Sequence, residues 1–254
     1  MNRRLPSAFR AASVHLLLSA LIAAALAALV FGWWYPFPYR ELAGGQQLFW
    51  TVMAVDVVCG PLLTAVVFNP QKSRRELVLD LSLVVLIQIG ALIYGVYSVA
   101  LARPVVLAYE IDRFVAVPAV DVDTPSLSDA LPDLRFLSWT GPKLVGTRKA
   151  RDGKEASLSL TQSLQGLQIS ARPGWWIPYE ESVPDVKLRM RKLDALRAKL
   201  EKPQRSLVDE AAVSTGEPVS TLFYLPLTSR ELTDWIVLLD AQAQIKGYAQ
   251  VDGF

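Results

Sequence analysis

The 254 residues include one histidine, His15, and one cysteine, Cys59. No disulfide can form within the chain. His15 opens the first apolar run, so no Ser-His-Asp or Cys-His arrangement can be built in the polar C-terminal region. A histidine- or cysteine-based zinc site has no ligand set. Walker A and GxGxxG loops are missing, which removes the usual phosphate-binding frameworks. Carboxylate pairs such as Glu180-Glu181 occur, but any soluble domain has them, and nothing marks this one as a glycosidase pair. A basic excess is missing too. The chain's net charge is +2, and residues 103–254 hold 19 Lys and Arg against 20 Asp and Glu, so there is no electrostatic footprint for nucleic acid. These absences point away from an enzyme, from a metal or other cofactor, and from a nucleic-acid partner.

Apolar residues are abundant: 52% of the chain, crowded into the first hundred positions. A hydrocarbon core of about 30 Å needs roughly 20 apolar residues in a helix. Three runs meet that length, at about 14–34, 48–68 and 77–101. The first is too long for a signal peptide and continues into WWYPFPY with no polar cleavage region, so it reads as an uncleaved anchor. Orientation follows from short-loop cations. Arg3, Arg4 and Arg10 precede the first run, and Lys72, Arg74 and Arg75 lie between the second and third, while the intervening loop holds only Arg40, next to Glu41. The N-terminus is therefore expected in the cytoplasm and the tail outside, in the periplasm of a Gram-negative cell.

The expected fold class is a membrane protein: a three-helix anchor over 1–102, then a small α+β periplasmic domain over 103–254. Trp33, Trp34, Tyr35, Phe37 and Tyr39 read as an interfacial aromatic belt, with Pro36 and Pro38 in an ordered connection. Ala20, Ala24 and Ala28, and Ala91 with Gly95, suggest close helix contacts. In the tail, VVLAYEIDRFVAV reads as an edge hairpin, TPSLSDALPDL as a short helix, and EASLSLTQSLQGLQI as a helix. Gly174 to Pro178 reads as a loop. PDVKLRMRKLDALRAKLEK is expected to form one helix with a stripe of Val186, Met190, Leu193, Leu196 and Leu200. Its basic residues, Lys187, Arg189, Arg191, Lys192, Arg197, Lys199 and Lys202, read as a solvated face or a contact for anionic lipid or a partner. Strands are expected at about 220–225, 235–240 and 245–251.

One acid, Asp56, stands inside VMAVDVVCGPLLTAVVFNP. A carboxyl near mid-bilayer is costly and is kept when it gains a partner or a function. Counting about 1.5 Å per residue from the outer helix ends puts Asp56 roughly 12 Å deep and Gln88 at a similar depth. An Asp56–Gln88 hydrogen bond is therefore expected between the second and third spans, and His15 with Asp80 forms a second candidate pair near the cytoplasmic boundary. These groups either hold the bundle together or recognise another membrane helix. A single acid without a relay makes a poor proton path.

Three ordered motifs carry a resemblance. They are YPFPYRELAGGQQL, VDVVCGPLLTAVVFNPQKS, and the stretch running to ARPVVLAYEIDRF. The chain resembles the type IV pilin accessory proteins of the TfpX/TfpZ type, closely over about residues 10–118 and in outline beyond. The matching positions include Glu41, Gly44, Gly45, Gly60, Pro61, Asn69, Pro70, Arg103, Pro104, Glu110, Asp112 and Arg113. The resemblance implies a non-enzymatic protein of the bacterial inner membrane. It would assist assembly, stability or surface display of a type IV pilin, its partner, and contact the pilus assembly machinery and membrane lipids. The alternative is a membrane-anchored periplasmic ligand-binding or sensor subunit. The cytoplasmic stretches are too short for an output domain, which weighs against it. A transporter would need more polar residues along the spans.

Overall fold

The computed structural model describes residues 4–254. Arg3, one of the orienting cations, lies outside them. The chain divides into two compact units: residues up to Pro36 together with Gly44–Leu101, and Phe37–Ala43 together with Ala102–Phe254.

In the first unit α1 (Arg4–Leu29) runs into a π-helical turn, Val30–Trp34. The short helix α2 (Tyr39–Leu42) belongs to the second unit. Then come α3 (Gly45–Val67) and α4 (Arg74–Ala102). Three helices, Leu5–Trp34, Gly45–Val67 and Arg74–Ala102, are long and apolar enough to cross a membrane. The first starts well before residue 14, because Pro6 falls in the first turn, where a missing N–H costs no helical bond. Ala20, Ala24 and Ala28 are exposed, Ala20 and Ala24 lining a groove with Trp50, Met53 and Ala54 of α3, while the buried residues of α1 are Ala8 and Ser19. Ala91 is exposed too, whereas Gly95 is buried against Val52, where a Cβ would overlap.

The loop before α4 closes by local chemistry. Ser73 N–H donates to Glu76 Oε2 at 3.0 Å and Glu76 N–H to Ser73 Oγ at 3.3 Å, a reciprocal capping box. The Asn69 side chain accepts from Gln71 N–H, and Lys72 pairs with Asp80 at 2.5 Å.

The second unit is built on an eight-stranded mixed sheet in the order β4-β3-β1-β2-β6-β7-β8, with β5 beside β6. Along the chain the elements are β1 (Pro104–Glu110), β2 (Arg113–Pro118), β3 (Lys143–Thr147), α5 (Gly153–Leu164), β4 (Trp176–Ile177), α6 (Tyr179–Arg189), β5 (Arg191–Lys192), α7 (Leu193–Arg197), α8 (Lys202–Thr215), β6 (Phe223–Thr228), β7 (Trp235–Leu239) and β8 (Ile245–Ala249). Long apolar helices followed by a mixed sheet with packed helices make this a membrane anchor with a small α+β domain.

The β1–β2 hairpin is central rather than an edge, since β3 and β6 pair with its two sides in parallel. TPSLSDALPDL forms two 3-10 turns, Thr124–Asp129 and Pro132–Leu134, broken by the second proline. The Gly174–Pro178 loop supplies β4, paired antiparallel with β3. The long helix expected from PDVKLRMRKLDALRAKLEK is interrupted. Met190 turns extended (ψ 142°), and Arg191 and Lys192 pair with Tyr224 and Phe223 of β6. Sheet pairing outweighs a helical pattern worth only tenths of a kcal/mol per residue. The basic stripe is dispersed as a result: Lys192 sits 4.1 Å over the Phe223 ring, and Arg197 grips Asp209 with two hydrogen bonds of 2.5 and 2.9 Å.

Residues 37–43 supply part of the second core. Tyr39 and Leu42 are buried with Phe114, Leu227, Trp235 and Val237. Tyr39 and Tyr248 share a hydroxyl hydrogen bond of 3.2 Å, and Ser229 Oγ donates to the Leu42 carbonyl. Burial, then the neighbouring Tyr248, pushes the Tyr39 phenol well above its ordinary pKa. The aromatic belt is thus only partly one: Trp33 is exposed, but Tyr35 and Tyr39 are interior.

Candidate functional site

Alpha-helical spans in lipid satisfy their own backbone, so side-chain polar groups there are free to act between helices. In the first unit such groups gather in one place. A groove of about 690 Å³ opens between α1, α3 and α4, with walls of Leu18, Ile22, Val85 and Leu92 and a polar floor of His15, Asp56, Thr64 and Gln88.

The expected Asp56–Gln88 contact exists in a different form. Gln88 Nε2 donates to the main-chain carbonyl of Asp56 at 2.6 Å, not to its carboxyl. Gly60 makes this approach possible. A Cβ there would overlap the Gln88 amide, so glycine one turn beyond Asp56 lets the glutamine lie flat on α3. Pro61 follows, removing one helical N–H in the same turn. Asp56 is 8% exposed, and its Oδ1 has no hydrogen-bond partner; Gln88 Oε1 has none either.

The second expected pair, His15 with Asp80, does not form. His15 Nδ1 and Thr64 Oγ1 share a hydrogen bond of 2.6 Å between α1 and α3, and Asp80 is held by Lys72. Asp80 lies one to two turns into α4, within reach of the loop lysine, and that local pairing costs little ordering. Thr64 was the partner that depth counting overlooked; its burial against α1 at 4% exposure is the sign of it.

The other motif positions hold the backbone. Gly44 caps α3 in the left-handed region (φ 66°), and Gly45 leaves room for the Tyr35 ring. Tyr35, fully buried, donates its hydroxyl to the Val99 carbonyl at 2.8 Å, joining the ends of α1 and α4. Glu41 pairs with Arg40 at 3.4 Å. Pro70 follows Asn69 in the turn already described. In the second unit Arg103 donates to the Ser138 carbonyl at 3.0 Å and lies 3.7 Å over the Trp139 ring, and Pro104 begins β1. The hairpin turn places Ile111 at φ 60°, ion-pairs Asp112 with Arg113 at 2.8 Å, and presents Glu110 to the Ser170 N–H at 2.9 Å.

That hairpin borders a cleft of about 710 Å³ shared with the end of β6, rimmed by Asp112, Arg113, Asp121 and Arg230. Behind it Arg172 is buried, donating to the Ser159 and Ser163 hydroxyls and to the carbonyls of Ser159 and Leu167. Burial lowers its pKa, against the pull of Glu110 and Asp123. The Glu180-Glu181 pair lies in the first turn of α6, where acids complement the helix dipole. Among the described residues, no group of three or more His, Cys, Asp or Glu is placed to hold a metal ion.

The architecture and groove define the class as a membrane-anchored protein with an intramembrane polar groove and an α+β domain. Comparison with known proteins narrows it. Residues 3–44 match the family model described as fimbrial assembly protein FimB. The chain is 34% identical over 255 residues to the fimbrial assembly protein of serogroup I of Dichelobacter nodosus, covering 100% of this chain and 99% of that one. The serogroup E1 protein of the same organism matches at the same identity and coverage. The protein of serogroups C1 and C2 is 44% identical over 133 residues, 52% of this chain and 98% of its own. No solved structure matches. The chain belongs to the fimbrial assembly protein family.

Proposed function

We propose that this protein sits in the bacterial inner membrane and assists assembly, stability or surface display of a type IV pilin by binding it, without catalysis. The observation that carries the reading is the lateral groove lined by Asp56, a buried acid with one carboxyl oxygen left without a hydrogen-bond partner. A subunit waiting in the membrane by an apolar helix offers the kind of surface such a groove fits. The fimbrial assembly names of the relatives support the role. Short-loop charges support an orientation with the N-terminus in the cytoplasm and the α+β domain, 103–254 with its added strap, in the periplasm. There the domain is available to the pilin's globular head, while α1, α3 and α4 meet its helix.

The test compares surface pilin with total cellular pilin in a strain lacking the gene, complemented by wild type or by Asp56→Leu. Surface pilin falling while total pilin persists supports the reading; unchanged amounts of both refute it. The cleft beside the β1–β2 turn favours a second reading, a ligand-binding domain. A ligand-dependent rise in melting temperature, with no pilin effect, would select it.

A further inference from the structure

The groove holds unspent acceptors, and none of the donors that line it is bonded to them. Asp56 Oδ1 and Gln88 Oε1 are sealed from solvent without partners. Gln88 Nε2 is used by the Asp56 carbonyl, and His15 and Thr64 are bonded to each other. Arg10 lines the groove but enters α1 five residues before His15, and Thr64 lies two turns from Asp56. At about 1.5 Å per residue Arg10 stands roughly 20 Å from the level of Asp56, beyond the reach of its side chain. Asp56 is the twelfth of the 23 residues of α3, so its depth is that of acyl chains, which carry no hydrogen-bond donor.

We propose that the groove receives a partner's transmembrane helix carrying a cationic hydrogen-bond donor, an ammonium, within its apolar stretch, and that this nitrogen donates to Asp56 and Gln88. Two unpaired oxygens on neighbouring helices, both from residues lining the groove, suit an ammonium, which has three N–H bonds to give. Charge complementarity, rather than apolar area, selects the occupant, because lipid competes equally well for apolar surface. The inference deepens the proposed function and takes from it only the expectation that the helix belongs to a pilin.

The full chain is reconstituted in phosphatidylcholine vesicles with labelled host helices of 23 Leu and Ala residues, the length of α3. The central residue is Lys, Ser, Leu or Glu, and association is read by resonance energy transfer. The Lys helix is expected to bind about tenfold more tightly than the Leu helix, with Ser between them and Glu no better than Leu. Asp56→Asn, which keeps the shape, reduces the preference for Lys, and Asp56→Leu abolishes it. Equal binding of all helices, or a Lys preference that survives Asp56→Leu in a chain with an unchanged melt, overturns the proposal; the first of these leaves the groove to lipid or water. Photocrosslinking from Leu18 to pilin in cells is scored separately. It decides whether the occupant is a pilin, and its failure beside a retained Lys preference counts against the proposed function alone.

Discussion

Gly60 and Gln88 should be energetically coupled, and the size of the coupling follows from their geometry. A methyl at position 60 meets the Gln88 amide, the far end of a flexible side chain, so Gly60→Ala displaces the amide rather than prying the helices apart. The displaced amide gives up its 2.6 Å bond to the Asp56 carbonyl. Interhelical hydrogen bonds in membranes contribute about 0.6 kcal/mol on average and up to about 1.7. Alanine in place of glycine in a helix returns up to about 1 kcal/mol of propensity. Gly60→Ala alone should therefore change stability little, and Gln88→Ala alone should cost about 0.6–1.7 kcal/mol. In the double variant the bond is already absent, so Gly60→Ala contributes only its propensity, and the double variant should be more stable than Gln88→Ala. The coupling energy should equal the bond, about 1 kcal/mol. Unfolding of the full chain in a dodecyl sulfate titration, followed for all four proteins, measures it. Additivity within about 0.3 kcal/mol would refute the account of Gly60 as the seat of the glutamine.

Further consequences concern the second unit. Arg172→Ala leaves two hydroxyls and two carbonyls without their donor, so it should destabilise the domain by about 3 kcal/mol, with Arg172→Lys rescuing only part because an ammonium lacks the planar fork; thermal melts decide. Leu42→Ala should cost about 2–5 kcal/mol and lower the melting temperature of the α+β unit although residue 42 lies between spans. A fragment of residues 103–254 should likewise melt below one to which residues 37–43 are supplied as a peptide. Glu155 accepts from Arg148 and the Arg151 N–H and is lowered from 4.5 to about 2. Its contribution to stability is present above pH 4.5 and is lost as pH falls toward 2. Glu155→Gln should flatten that part of the stability–pH curve, and an unchanged curve would remove the ion pair from the account.

What could be read from the sequence divides along a physical line. Hydrophobic length is a local property, so the three spans and the paired depth of Asp56 and Gln88 were accessible without coordinates. The β1–β2 hairpin was accessible for the same reason, since Ile-Asp-Arg between two apolar runs is turn chemistry. Its central position in the sheet was not, because β3 and β6 are set by pairings across long stretches of chain. The break at Met190 shows the limit directly. Leu193 and Leu196 keep a helical spacing with Val186, yet they pack with Tyr224 and Ile236 while Val186 joins Tyr39 and Phe114, so one stripe serves two different cores. Periodicity reports that a residue is buried, not against what. The same holds for Tyr39, whose aromatic neighbours argue equally for a lipid interface and for a sheet. In the groove the error was finer. Depth counting brought Asp56 and Gln88 together but could not say that glycine at 60 would direct the amide to the carbonyl and leave the carboxyl unpaired. An unpaired carboxyl oxygen of this kind depends on where one amide lies, and so is invisible to pattern.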